Sequence, residues 1–310
     1  MLVTVTVNPA LDKLYYVEKL IPGEDIRVQH PTAHAGGKGI DVAKVARLLG
    51  IEVITTGFIG GHSGNFIMEA LRNKGIREAF VRVSSETRSC INVYEDNSGK
   101  PTTLLEPGEA VSDAEREKLV KKYRQVIENC SMVAMCGSVP KGIGTDFYPE
   151  LISIAKAAGK TVILDTSGEL LRAGIEAKPD IIKPNRTEIS SLLGREVKTR
   201  DEVVEAAVSL HEKGIGTVIV SLGRDGAVFA TPQGVFQGTT PDIKPVNTVG
   251  CGDSLVAGYA TGILKKQTVE ETILLAMAVS TANALGSEAG FFRQNELDEL
   301  MPQVGVIKIS

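Results

Sequence analysis

The sequence predicts a mixed α/β fold, a mostly parallel sheet with helices on both faces. Short β-rich runs at 1–8, 51–59, 131–136, 161–165, 179–183 and 216–222 alternate with helical patterns at 38–49, 63–74, 112–128, 146–158, 186–193 and 200–213. Such alternation is the signature of strand–helix–strand units. The runs "MVAMCG" and "TVIVSL" are apolar almost throughout, as strands covered on both faces must be. With 310 residues, 43% of them hydrophobic, the chain can bury one large core.

Taken in order, "MLVTVTVN" alternates like a strand and lacks the basic start of a secretory leader. A run of glycines then opens the amphipathic helix at 38–49. Residues 13–34 and 84–106 break the rhythm. "KLYYVEKL" and "SCINVYED" alternate, with turn chemistry at Pro22-Gly23 and "DNSGKP". These two segments are expected to form a small sheet projecting from the main body. A sheet that small is marginal with both faces exposed, so one face needs a ligand or a second subunit. Segment 226–239 reads as a hairpin, and 253–264 and 268–287 as two long closing helices. No repeat or linker interrupts the chain, so residues 1–310 are expected to form a single domain.

The formal net charge of −4 and the lack of a strongly basic run argue against nucleic acid or an anionic membrane as partner. The longest apolar runs are strand-length, far short of the roughly twenty residues of a membrane span. Cys90, Cys130, Cys136 and Cys251 form no C-x-x-C pair. Reduced thiols and a cytoplasmic location are therefore expected. His30, His34, His62 and His211 are scattered, with no H-E-x-x-H, which speaks against a dedicated zinc site.

Chemistry concentrates in a few places. In "NTVGCGDSLVAGYA" a glycine turn meets a helix start at Asp253. The unpaired amides of such a start hold anions. Asp253 is either a cap or a proton acceptor beside that anion site. In "AHAGGKGIDVAKVARLLG" the run Gly36-Gly37-Lys38-Gly39 is either a tight-packing turn or a close backbone approach to a ligand. It is not a Walker A loop, because Thr32 stands where glycine is needed and Gly39 where Ser or Thr is needed. Nor is "GCGDSL" a dinucleotide fingerprint, since Leu255 occupies the third glycine position.

In "IIKPNRTEISSLLG", Pro184 ends a strand at Lys183, and Asn185 with Glu188 three residues on forms a capping-box pattern. A carboxylate at that sheet edge also suits Mg²⁺ held through water. "SLGRDGAVF" is a glycine turn between strands. Asp12 and Ser138 follow directly on strands, at the edge where parallel sheets bind ligands. Arg27 and Arg88 fall on the small-sheet segments, and a planar guanidinium suits either phosphate or a surface ion pair.

The ordered set N-P-x-x-D, A-G-G-K-G, T-R, G-S-x-P, K-P-N-x-x-E, S-L-G-x-x-G and T-x-G-x-G-D resembles the PfkB branch of the ribokinase-like carbohydrate kinases, and within it the phosphofructokinase group. The likeness spans essentially the whole chain. It implies a ribokinase-like domain with a small β-lid that completes a homodimer, and ATP with Mg²⁺ as cofactors. The reaction implied is phosphoryl transfer to a hydroxyl of a ketohexose phosphate: fructose 1-phosphate, fructose 6-phosphate or tagatose 6-phosphate.

By matching positions, the resemblance makes Asp253 the base and the amides of Gly250, Cys251 and Gly252 the anion hole. It places Lys183, Asn185 and Glu188 by the nucleotide phosphates and Mg²⁺, and Ser221, Gly223 and Gly226 around the nucleotide. Asp12, Arg27, Gly36, Gly37, Lys38, Arg88 and Ser138 then face the sugar phosphate. An Asp253 carboxylate near Mg²⁺ and amides is expected to stay ionised.

Two departures stand out: Asp41 replaces the usual asparagine at a sugar-contacting position, and Cys251 replaces a small residue, its thiol at a helix start suggesting a lowered pKa and oxidation. Two other readings compete with this one. They are a kinase of a free sugar or nucleoside, and a non-catalytic sugar-phosphate sensor that has no need of the base.

Overall fold

A computed structural model describes residues 1–95 and 101–309. The turn expected at "DNSGKP" lies outside the described residues except for Pro101. The chain opens with β1 (Leu2–Thr6), β2 (Ala10–Val17), β3 (Thr32–Gly36), α1 (Lys38–Leu48), β4 (Val53–Ile59) and α2 (Gly61–Asn73). Next come β5 (Arg77–Glu78), β6 (Val81–Arg82), β7 (Ser89–Glu95), β8 (Thr102–Leu105), α3 (Asp113–Ile127) and β9 (Met132–Cys136). The middle holds α4 (Phe147–Ala157), β10 (Thr161–Asp165), α5 (Gly168–Glu176), β11 (Ile181–Ile182), α6 (Arg186–Leu193), α7 (Arg200–Glu212) and β12 (Thr217–Ser221). The hairpin β13 (Ala227–Thr231) and β14 (Gly234–Thr239) precedes α8 (Cys251–Leu264), α9 (Val269–Leu285), α10 (Gln294–Leu300) and β15 (Gly305–Lys308).

The large sheet runs β15-β14-β13-β12-β11-β10-β9-β1-β4-β5, with β6 also on β4. From β12 to β5 every pairing is parallel, and the hairpin and β15 add an antiparallel edge. Alternation across β1 divides the core. Leu2 joins Ile40, Ile67, Leu255 and Val279 on the face covered by α1, α2, α8, α9 and α10. Val3 and Val5 join Leu119, Tyr148, Leu171 and Val203 on the face covered by α3, α4, α5, α6 and α7. Capping boxes start α3 (Ser112 with Glu115), α7 (Thr199 with Glu202) and α9 (Thr268 with Glu271). Each satisfies amides that a helix start otherwise leaves open.

The two irregular segments form a separate four-stranded sheet, ordered β3-β2-β7-β8. Its register places Asp12 beside Cys90, Cys90 opposite Leu105, and Asn92 opposite Thr103. Tyr16 and Tyr94 stack across the parallel pair at 5.3 Å. Among the described residues no helix is long and apolar enough to cross a membrane.

Candidate active site

The carboxyl ends of the parallel strands meet at one edge, the usual place for a ligand in such sheets. β1 delivers Asn8 there, β9 Gly137 and Ser138, β10 Thr166, β11 Lys183 and β12 Ser221, around a cavity of about 580 Å³. Asp12, expected just after the first strand, instead lies within β2 of the small sheet and reaches the same cavity. Because side chains alternate across a strand, Asp12, Cys90, Asn92, Thr103 and Leu105 share one face of the small sheet, and all line this cavity. A second cavity of about 490 Å³ is lined by Gly223, Gly226, Thr240, Pro245, Met277 and Ala284 among others. Ser221 and Gly252 border both.

Asp253 stands beside that junction as the third residue of α8, its side chain tilted back toward the helix start. Gly250 precedes the helix at φ 82°, and a Cβ there would lie 2.8 Å from the Gly290 nitrogen. Only glycine suits both demands. Asn283 on α9 braces the turn: its Nδ2 donates to Val249 O (2.9 Å), and its Oδ1 accepts from Ser254 Oγ (3.1 Å) and Gly290 N–H (2.9 Å). The Cys251 N–H points to Thr248 O at 3.4 Å. The next amides of the first turn have no partner within the helix.

Burial pushes the Asp253 carboxyl up to about 8, against the pull of Lys38, with Asp41 and Asp165 adding to the rise and Lys183 opposing it. The expectation of an ionised Asp253 concerned a carboxylate beside Mg²⁺; in the protein alone burial favours its neutral form. Loss of water outweighs two nearby cations. The expected lowering at Cys251 is overturned. Burial pushes its thiol up to about 11, and the Asn283 amide nitrogen lies 3.4 Å from the sulfur. Without a ready thiolate the thiol is a poor target for oxidation.

Close enough to raise the Asp253 pKa by its charge is a residue that the sequence did not single out. The Asp165 side chain, 0% exposed, sits 3.2 Å from Lys38 Nζ and 3.4 Å from Lys183 Nζ through Oδ1. Its Oδ2 is buried with no hydrogen-bond partner among the described residues. The signal was available in "LDTSG", a carboxylate at the carboxyl end of an apolar strand-like run. Asn283 had no such signal within an apolar helix.

Asn185 and Glu188 form the capping box in full: Asn185 accepts from the Glu188 N–H (2.9 Å), and Glu188 Oε2 accepts from the Asn185 N–H (2.8 Å). Asn185 lines the larger cavity, whereas Glu188 is outside the lining of both.

On the other side, burial pushes the Asp12 carboxyl up to about 7, with Asp41 adding and Lys44 and Arg88 opposing. Gly36 lets Asp12 pack directly on the backbone: a Cβ there would run into the Asp12 carboxylate and force it to shift. Gly37, Lys38, Asp41 and Ser138 line the cavity as expected. Arg88 lines it too, with its guanidinium donating to Asn8 O (3.2 and 3.1 Å) and Glu106 O (2.8 Å). Arg27 is exposed between β2 and β3, outside the cavity lining.

Comparison with known proteins decides the family. The model of the pfkB family carbohydrate kinases matches residues 6–294. The chain belongs to this family. It is 36% identical to the tagatose-6-phosphate kinase of Staphylococcus epidermidis over 312 aligned positions, covering 100% of each protein. It superposes on Escherichia coli phosphofructokinase-2, solved with substrates and products, at a TM-score of 0.90 and 27% identity, covering 97% of this chain and 98% of that one. That enzyme also has a tetrameric inhibited form. A Thermotoga maritima protein described as a possible 1-phosphofructokinase superposes at 0.88 with 26% identity, covering 100% of both chains.

As a pfkB member the protein is a carbohydrate kinase, and the ribokinase-like fold expected from its motifs is the one observed.

Proposed function

We propose that this protein transfers the terminal phosphoryl group of ATP to a hydroxyl of a ketohexose phosphate, with Asp253 as general base. The observation that carries this reading is the placement of a buried Asp253 at a helix start where the two cavities adjoin. Phosphoryl transfer needs an aligned hydroxyl, a proton acceptor and fixed positive potential at the moving group. The larger cavity, floored by Asp12, Gly37 and Ser138, takes the sugar phosphate, and the smaller one takes the nucleotide. Lys38 and Lys183 face the phosphates between them.

Mg²⁺ binds through one or two carboxylates plus phosphate and water rather than in an all-protein cage. The partnerless Oδ2 of Asp165 fits that role, and Glu188, with one oxygen occupied by its capping bond, suits a water-mediated contact. Bound there, the ion would neutralise phosphate charge.

A panel assay with Mg-ATP tests the reading. The highest kcat/KM is expected with fructose 1-phosphate, fructose 6-phosphate or tagatose 6-phosphate, at least about 100-fold above free hexoses and nucleosides, since a site built for a phosphate is left unpaired without it. Preference for an unphosphorylated sugar or a nucleoside would overturn it.

We further propose that the small sheet is a lid whose outer face pairs with a second copy. Leu104, 57% exposed, lies opposite Ile91 on the face away from the cavity. Leu104→Glu should convert a dimer to monomers in light scattering. A wild-type monomer at micromolar concentration would refute the pairing.

A further inference from the structure

We propose that Lys44 is a positioning residue for phosphoryl transfer: its ammonium ties strand β3, on the sugar side of the cavity, to the loop behind the anion-binding turn. The proposal rests on the function proposed above for its kinetic consequence. Lys44 lies on α1, and its side chain is 3% exposed. Its Nζ donates to Ala35 O in β3 (3.2 Å) and to Ala289 O in the loop after α9 (2.7 Å). Asp41 Oδ1 balances its charge at 2.8 Å, with Glu288 Oε1 at 3.6 Å.

From Ala289 the contacts continue without a gap. Gly290 packs on Asp41 and Lys44, where a Cβ would meet Lys44 Cε at 2.7 Å and Asp41 Oδ1 at 2.8 Å. Its N–H donates to Asn283, which holds Val249 O and Ser254 in the turn that carries Asp253. In the other direction, Ala35 adjoins Gly36, which packs on Asp12. One buried cation therefore links the backbone beside Asp12 with the backbone beside Asp253.

Removing such a tie displaces reacting groups without removing any of them, and a misplacement of about 1 Å costs about 100-fold in rate. A lysine that merely fills space would show another pattern. Its loss would act through the unpaired Asp41 carboxylate, because breaking a buried ion pair from one side leaves an uncompensated charge.

The test compares full-length wild type with Lys44→Met, Lys44→Arg, Asp41→Asn and the double variant Asp41→Asn/Lys44→Met. Asp41→Asn alone sets the baseline for any direct part that Asp41 plays. Relative to wild type, Lys44→Met should lower kcat about 10- to 100-fold with the nucleotide KM within about threefold. Relative to the Asp41→Asn baseline, the double variant should show the same loss. Lys44→Arg should recover part of it.

Amide hydrogen exchange should quicken together at 35–37 and 249–252 when Lys44 is lost. Return of the double variant to the kcat of Asp41→Asn would overturn the proposal, as would unchanged exchange at both segments. If Lys44→Met alone fails to fold, the double variant, which buries no unpaired charge, carries the comparison. A wild-type protein inactive on every ketose phosphate would refute the proposed function, while the exchange data would still decide whether Lys44 makes the tie.

Discussion

Asp253→Asn should lower kcat by about 1,000-fold while leaving the KM of both substrates within about threefold. A positioned base contributes typically 10²- to 10⁴-fold, and an amide of the same shape cannot take the proton of the attacking hydroxyl. Binding should survive because the groups that hold the ligands lie elsewhere: Lys38 at the start of α1, Lys183 and Ser221 at strand ends, and the first-turn amides of α8 in the backbone.

The variant should also be at least as thermally stable as wild type at pH 7. Burial already disfavours the charged carboxylate at this position, pushing it up to about 8, so a neutral isostere removes a cost rather than a stabilising charge. Steady-state kinetics with a thermal melt checks both expectations. A kcat within threefold of wild type would remove Asp253 from the chemistry and leave it a structural residue in the first turn of α8. A sugar-phosphate sensor would lose nothing on this substitution, so the same variant separates the two classes of function.

What could be read from the sequence follows from the range of the interaction concerned. Strands such as Met132–Cys136 and Thr217–Ser221 show as apolar runs because burial on both faces is written into consecutive residues. Helix α6 shows because Asn185 and Glu188 cap it locally. By contrast α5, α10 and β15 have nine, seven and four residues. These are too few for a period to stand out, and β15 exists only by pairing with β14.

The site divides the same way. Asp253 and Lys183 are marked by the glycines and the proline beside them. The partnership of Asp165 with Lys38 and Lys183 joins three separate stretches of chain, and Lys44 reaches a carbonyl far along the sequence at Ala289. Protonation was the least legible property of all. That Asp253 and Cys251 are both pushed upward depends on how much water the finished fold excludes, which no local pattern records.

Lys183→Met should produce the second largest loss, and its dependence on pH identifies the cause. The Lys183 ammonium, 4% exposed, lies beside Asp165 and acts on Asp253 as a neighbouring positive charge. Removing one fixed positive group from the path of a transferring phosphoryl costs about 10²- to 10³-fold, so kcat/KM for the nucleotide should fall by about that factor.

The lysine also favours the ionised form of the base. A cation next to a carboxylate lowers its pKa, and its removal raises it. In the wild-type protein kcat/KM should climb through an acidic limb near 8 as Asp253 loses its proton. In the variant that limb should move to higher pH, making the deficit at pH 7 larger than at pH 9 by roughly threefold or more. Asp12, pushed up to about 7, owes its position to burial, Asp41, Lys44 and Arg88 rather than to Lys183, so its own titration should stay in place.

A uniform loss across the pH range would mean that Lys183 holds phosphate without setting the charge of the base. A limb displaced to lower pH would contradict the electrostatic arrangement outright. The companion Lys38→Met should displace the limb further in the same direction, because Lys38 opposes the rise at Asp253 more strongly than Lys183 does.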